Sequence, residues 1–516
     1  MDLAVLNEPR KGATIGIVAV ARRTRAGACA FVATVAAASA ALFAQSAADI
    51  VARVESRLLP PVIVKGRPLE TKTLEDRMRE LNVPGVSAAV FAGGRVAWTH
   101  QWGLADLESQ RTVERDTRFQ AASISKPVAT AVVLALVSRG RLSLDSPVNE
   151  YLQSWELPGN EHTAAKPVTL RHLLTHSAGT TVHGFRGYAR GEEVPTLPQL
   201  LDGLKPANSA AVRVDIPVGS RWRYSGGGIS IAQLVVEEET KKPFAQTARE
   251  LVLQPFGMTN STYVQPIPLD LRERAATGYR SNGDAVAGKW HTYPEQAAAG
   301  LWTTPEDLAK FGIELQRIAS GQSKQVMTQA LARDMLRRQV GEWGLGVGVL
   351  GDGDATRFSH GGANEGFRAF WVGYRNTANG VAVMTNSDAG MGVANDLVRT
   401  IADEYGWPGL APIRRTLGTA DPKTFADLAG FYDVPEAPRP LYIIADGDRL
   451  FRSTGPRPGQ RAELLPESAD TFFGLDGDFR IHFVRDAAGR VTEARVTLGT
   501  RDRRAPRCGT RAEECR

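Results

Sequence analysis

A chain of 516 residues has room for two to four domains at about 150 residues each. With 43% hydrophobic and 23% charged residues it has the composition of an ordinary globular protein, which excludes a disordered tail, a collagen and a polytopic membrane protein. The formal charge of +6 falls to +3 when residues 1–46 are set aside, and that balance does not call for nucleic acid.

The N-terminal segment places Arg22, Arg23 and Arg25 before a charge-free, Ala-dominated run from Ala26 to Ala44, followed by small residues. It reads as a signal peptide over 1–46, with an uncleaved anchor as the alternative, and so predicts an exported, periplasmic or secreted protein without a stable membrane span after cleavage. Val86–Phe91 and Arg95–Thr99 flank Gly93-Gly94 and predict a hairpin. Val128–Val137 is apolar nearly all round and stops at Gly140, which predicts a buried helix. Helical patterns also cover Leu170–Thr175, Ile229–Glu239 and Pro305–Ile318, the last with Thr304 before Pro305 as a start signal. A second hairpin pairs Phe370–Tyr374 with Val381–Thr385 across Asn379-Gly380.

Strands at both ends and helices between them predict an α+β domain over 70–405, an antiparallel sheet flanked by helices with a helical subdomain. Pro408, Gly409, Pro412 and Pro422 mark a linker over 406–423. Beyond it, short strand-like runs punctuated by Gly447, Gly459, Gly477 and Gly489 predict a small all-β barrel over 424–505. Cys508 and Cys515 either close a small loop in an oxidising compartment or remain two solvated thiols.

The chemistry concentrates in three stations. Ser123 and Lys126, in Phe119-Gln120-Ala121-Ala122-Ser123-Ile124-Ser125-Lys126-Pro127, stand three apart at the entrance of the buried helix, so both fall on one face. A hydroxyl is a weak nucleophile and needs a base; a lysine becomes one where burial or a neighbouring cation lowers its pKa. The helix N-terminus favours negative charge developing beside Ser123. The bland reading is a serine cap and a solvated lysine. The second station is Arg223-Tyr224-Ser225-Gly226-Gly227-Gly228, where Tyr224 can serve as acid or base. The third is Phe358-Ser359-His360-Gly361-Gly362-Ala363-Asn364, placed just before the late hairpin and so on or beside an edge strand, where small residues such as Gly362 admit a substrate backbone.

This ordered set resembles the serine β-lactamase and penicillin-binding superfamily, and more narrowly the class C β-lactamase-related serine hydrolases. Leu173-Leu174-Thr175-His176-Ser177-Ala178-Gly179 and Ala299-Gly300-Leu301-Trp302-Thr303-Thr304 carry further similarity, so the likeness spans about residues 75–400. The resemblance implies a β-lactamase/transpeptidase-like fold, with Ser123 as acyl-forming nucleophile, Lys126 as its proton partner and Tyr224 as the second member of the acid–base network. It also places His360 at the third-motif lysine, and it implies an oxyanion hole from the backbone N–H groups of Ser123 and Ala363. No cofactor is implied; the partner is a small-molecule or peptide substrate. Gly226, expected with Ala363, His360 and Gly362 to contact substrate, stands where an asparagine often follows Tyr-Ser, and a neutral His360 holds a carboxylate less firmly than lysine does, so ester and peptide substrates gain ground on penicillins. The terminal barrel is similar to lipocalin-like modules that follow such catalytic domains. A non-catalytic peptidoglycan- or ligand-binding protein is the rival from another class, and the sequence is silent on oligomeric state.

Weaker signals read as structure. Gly346-Val347-Gly348-Val349-Leu350-Gly351 spells a dinucleotide motif but has no helix after it, which favours a Gly-rich strand edge. His172 and His176 are four apart, but no glutamate stands between them as a metalloprotease base, so packing or capping is the better reading. Arg501, Arg503, Arg504, Arg507 and Arg511 read as a solvated tail.

Overall fold

The computed structural model describes residues 47–435, 437, 439–453, 460–498, 501–509 and 514–515. The signal peptide read in residues 1–46 lies outside them. No helix among the described residues is long and apolar enough to cross a membrane.

The main sheet has seven antiparallel strands in the order β4-β3-β2-β10-β9-β8-β7. β2 (Gly85–Ala92) and β3 (Arg95–Asp106) form the first expected hairpin, turning through Gly93 and Gly94, both at positive φ. β3 continues to β4 (Arg111–Thr112) at one edge. On the other side β10 (Gly380–Thr385) pairs with β2 and with β9 (Phe367–Tyr374), β9 with β8 (Arg357–Asn364), and β8 with β7 (Gly348–Leu350). Every residue of β10 is buried, and side chains of a strand alternate between faces, so the sheet must be covered on both sides. Two helices do this: one over Pro305–Ser320 packs on β2, β9 and β10, and one over Gly390–Glu404 packs on β9 and β10. The first begins at the expected cap, Thr304 accepting from the Asp307 N–H.

The buried helix, α1 (Ser125–Ser138), exposes almost none of its circumference and ends before Gly140, which adopts positive φ. It runs through the core shared with a short helix, α2 (Leu170–Leu174), and a long one, α3 (Gly226–Thr240). A single turn of helix, α4 (Gln296–Ala299), lies against both α1 and α3. A small ladder of β5 (Phe119–Gln120) with β6 (Trp302–Thr303) sits beside the N-terminal end of α1.

The stretch expected to be a bare linker carries a strand of its own. β11 (Ile413–Thr416) pairs in parallel with β1 (Val62–Lys65), and Val62 and Val64 pack with Leu465 and Phe473 of the terminal unit. Arg415 reaches Glu467 and Asp478 of that unit. The connection is therefore bedded against what it connects, because its apolar residues find partners far away in sequence.

The C-terminal unit is a closed barrel of eight strands, from β12 (Gly430–Tyr432) to β19 (Arg501–Gly509). The six runs read from sequence are β13 (Leu441–Asp446), β14 (Arg449–Ser453), β15 (Arg461–Ser468), β16 (Thr471–Gly474), β17 (Phe479–Arg485) and β18 (Val491–Leu498). Closure is a correction to the reading of the arginine-rich terminus: Arg501, Arg503, Arg504 and Arg507 lie on β19, which pairs with both β18 and β12. Arg504 faces out to Glu493 while Ala505 points into the core, an alternation that lets a strand carry many arginines at no cost to its buried face. Arg511 lies outside the described residues. Tyr432, Ile443, Leu450, Phe472, Ile481 and Phe483 pack together in the interior as the barrel's apolar core. Cys508 and Cys515 are joined by a disulfide.

Candidate active site

The turn Ala122–Ile124 delivers Ser123 to the N-terminal end of α1. Ala122 sits at φ +49°, a left-handed conformation that costs a non-glycine residue about 1–3 kcal/mol and persists only where neighbours enforce it. Here they do. The buried Ser125 hydroxyl donates to the Ala122 carbonyl and accepts from the Leu301 N–H at 3.0 Å, the Ala121 N–H donates to the Leu301 carbonyl at 2.8 Å, and the Tyr263 hydroxyl donates to the Ser125 carbonyl at 2.6 Å.

Lys126, one turn on, is buried, with 2% exposure. Its Nζ donates to Ser123 Oγ at 3.0 Å and to the Ala298 carbonyl of α4 at 2.8 Å, and it lies 5.0 Å from the centroid of the Tyr224 ring. No carboxylate among the described residues pairs with it. The amine thus takes its direction from α4, one neutral carbonyl holding it against the hydroxyl.

Tyr224 arrives on the irregular stretch before α3. Ser225 caps that helix, accepting from the Gly228 N–H, and donates to the Thr181 carbonyl at 2.6 Å. His176 grips the backbone on either side of Tyr224: the Arg223 N–H donates to the His176 carbonyl at 2.7 Å and the Ser225 N–H to His176 Nδ1 at 3.2 Å. Because Nδ1 accepts, the proton of neutral His176 is on Nε2. Burial, followed by the charge of Lys126, holds this imidazole well below its ordinary pKa. The sequence places His176 in a histidine pair and in the Leu173–Gly179 similarity, but gives it no role at Tyr224. Its partner His172 is a helix cap at α2, exchanging bonds with Thr169, as the capping alternative expected.

The third station lies along β8. β7 pairs only with Arg357–Ser359, so from His360 to Asn364 the outer edge of β8 is free and faces the turn at Ser123. A Cβ on Gly362 would stand 2.2 Å from the Ala121 carbonyl oxygen; only glycine allows the strand to come this close to the residue two before the nucleophile. Asn364 anchors the end of the strand, donating to Gln120 Oε1 at 2.8 Å and to the Ala299 carbonyl at 3.1 Å. His360 Nδ1 donates to the Gly361 carbonyl at 2.6 Å, which leaves Nε2 as the bare acceptor. Burial first, then the charge on Lys126, lowers its pKa to about 3, so the ring is neutral at neutral pH.

Ser123, Lys126, Tyr224, His360, Gly362 and Ala363 line one cleft of about 460 Å³. Its wall is completed by aromatic groups from distant segments, chiefly Phe185, Trp222 and Trp343; among the described lining residues Lys126 is the one lysine or arginine, and there is no aspartate or glutamate. Gly226 is the exception among the expected residues. It does not line the cleft, because His183 and Phe185 pack over it; an added Cβ would meet the Phe185 ring at 3.0 Å. The described lining residues all fall between 123 and 391, so none of them belongs to the barrel. The Gly346 run is a strand edge, with Gly348–Leu350 forming β7.

The family model described as Beta-lactamase matches residues 71–405. The chain belongs to the beta-lactamase family. It is 33% identical over 214 residues to Esterase EstB of Burkholderia gladioli, covering 40% of this chain and 52% of that protein. It is 24% identical over 294 residues to a D-aminopeptidase of Brucella anthropi, covering 55% of this chain and 52% of that protein. The chain therefore spans about half the length of these curated relatives. Among solved structures, an octameric penicillin-binding protein homologue from Pyrococcus abyssi superposes with a TM-score of 0.56 at 19% identity, over 84% of this chain and 98% of that one, a likeness of fold.

Proposed function

We propose that this protein hydrolyses neutral carboxylic esters through an acyl-enzyme on Ser123. The observation that carries the reading is the buried Lys126 amine held 3.0 Å from the Ser123 hydroxyl. Lys126 takes the proton as Ser123 Oγ attacks the ester carbonyl; the C–O bond to the alcohol breaks, and the alcohol oxygen takes the proton back through the Lys126–Tyr224 pair. Water then attacks the acyl-enzyme by the same route and releases the acid. The backbone N–H groups of Ser123 and Ala363 are the proposed oxyanion donors, each worth about a hundred- to a thousandfold in rate.

An ester is favoured over a penicillin or a D-amino-acid peptide because both of those carry a carboxylate, whereas His360 is neutral and Lys126, the one lysine or arginine among the described lining residues, is already committed to Ser123. The family likeness to an esterase supports the same choice. We also propose residues 70–405 as the catalytic unit, 406–423 as its connection and 424–505 as a stabilising barrel, with export directed by the leading segment.

The test is a side-by-side rate comparison of p-nitrophenyl butyrate, nitrocefin and a D-alanyl peptide, with labelling by a fluorophosphonate and location of the adduct by mass spectrometry. Expected are preferential ester turnover and an adduct on Ser123 that Ser123→Ala abolishes. Preferential nitrocefin or peptide turnover refutes the ester assignment, and binding with no turnover at all would establish the rival, a non-catalytic receptor.

A further inference from the structure

Trp222 is 44% exposed, a large apolar side chain left in water at the mouth of the cleft. It is not isolated. Its ring centroid is 5.6 Å from that of Trp343 and 6.4 Å from that of Tyr224, and Trp343 meets Tyr224 edge-on at 5.9 Å. The two tryptophans come from segments more than a hundred residues apart and converge on Tyr224, whose ring also stands beside the Lys126 amine.

That convergence has a direction. During acylation the oxygen that needs a proton is the one leaving with the alcohol, and the proton to be returned is on the Lys126–Tyr224 side of the cleft. The departing oxygen must lie there, and whatever it is bonded to extends past Tyr224 toward the tryptophans, while the acyl chain leaves the carbonyl carbon the other way. Resting on the ester reading above, we propose that Trp222 and Trp343 form the seat of the leaving alcohol, and that they select esters of bulky apolar or aromatic alcohols. The wall is uncharged and flat-faced. It rewards apolar area and aromatic stacking, and it offers no counter-charge to the carboxylate of a hydroxy acid.

Two ester series separate the two halves of the substrate. In one the acyl group is butyryl throughout and the alcohol runs from ethanol through benzyl alcohol to 2-naphthol; in the other the alcohol is ethanol and the acid runs from acetate to octanoate, with acid release followed by titration. Comparing variant with wild type cancels the intrinsic reactivity of each ester. Trp222→Ala is expected to lower the 2-naphthyl-to-ethyl ratio of kcat/KM by tenfold or more, mostly through KM, and to leave the octanoate-to-acetate ratio within about twofold. Trp222→Phe should recover most of the loss. Because Trp222 is nearly half exposed, its removal should leave the melting temperature within a few degrees, which is measured alongside. An unchanged alcohol ratio, or a change confined to the acyl series, overturns the assignment while leaving ester hydrolysis intact. Absence of ester turnover in the wild type, or turnover that survives Ser123→Ala, overturns instead the reading on which it rests.

Discussion

Glu295 opens α4, the helical turn whose Ala298 carbonyl holds Lys126 and whose Ala299 carbonyl holds Asn364. Its side chain is fully buried, and neither carboxyl oxygen has a hydrogen-bond partner among the described residues. The titratable groups that sense its charge are Tyr188 and Tyr293, and no lysine or arginine among the described residues makes an ion pair with it. Desolvation therefore pushes its pKa up from the ordinary 4.5 to about 8. Between those two values the folded protein retains a proton that the unfolded chain has lost, so the native state binds more protons and stability falls as pH rises. At about 1.4 kcal/mol per pH unit, the full span from 4.5 to about 8 amounts to about 5 kcal/mol, all of it lost by pH 8. Glu295→Gln keeps the shape and removes the titration. Urea unfolding of both proteins at half-unit steps from pH 4 to 9 should give a variant whose stability relative to wild type climbs steadily from about pH 4.5 and levels off near pH 8. Taking the difference cancels every other titrating group. Parallel stability curves across that range would refute the argument that a neutral, partnerless carboxyl is built into the wall behind Lys126.

Three further outcomes are expected. Gly362→Ala, whose new methyl would collide with the Ala121 carbonyl, should lower kcat/KM by about a hundredfold through displacement of β8 from the Ser123 turn; activity within threefold of wild type would contradict that packing. His360 should show no charge change by NMR between pH 5 and 8. Its folded pKa of about 3 lies below the ordinary 6.5, so the unfolded chain binds more protons between those values and the group's contribution to stability grows as pH rises through them; a ring titrating near 6.5 would refute this. Ile443→Ala, in the apolar core of the barrel, should cost about 2–5 kcal/mol in unfolding while leaving kcat/KM on esters unchanged, because none of the described residues that line the cleft belongs to the barrel. A loss of activity at full stability would point instead to a catalytic role for the barrel.

Much of the architecture was legible because its signals are local. Gly93-Gly94 between two apolar runs is a hairpin wherever it occurs, and a charge-free stretch such as Val128–Val137 has to be buried all round. Six barrel strands announced themselves by turn spacing. The two that close the barrel did not: β12 is only three residues long, and β19 hides its inward-facing Ala505 among arginines whose partners, such as Glu493, belong to a different strand. The same reason explains β11, whose pairing partner β1 lies some 350 residues earlier.

The candidate site divides along the same line. Ser123 and Lys126 meet across one helical turn, so their spacing alone set the nucleophile beside its amine. What distance in sequence concealed is everything that tunes them: the Ala298 carbonyl that aims the amine, the His176 clamp on Tyr224, the unpartnered Glu295 behind α4, and the Trp222–Trp343 wall. Residue order governs contacts one turn or one hairpin away, where backbone geometry leaves few choices. Charge state, cleft shape and substrate preference follow from which remote surfaces exclude water from one another, and that is decided only when the chain packs.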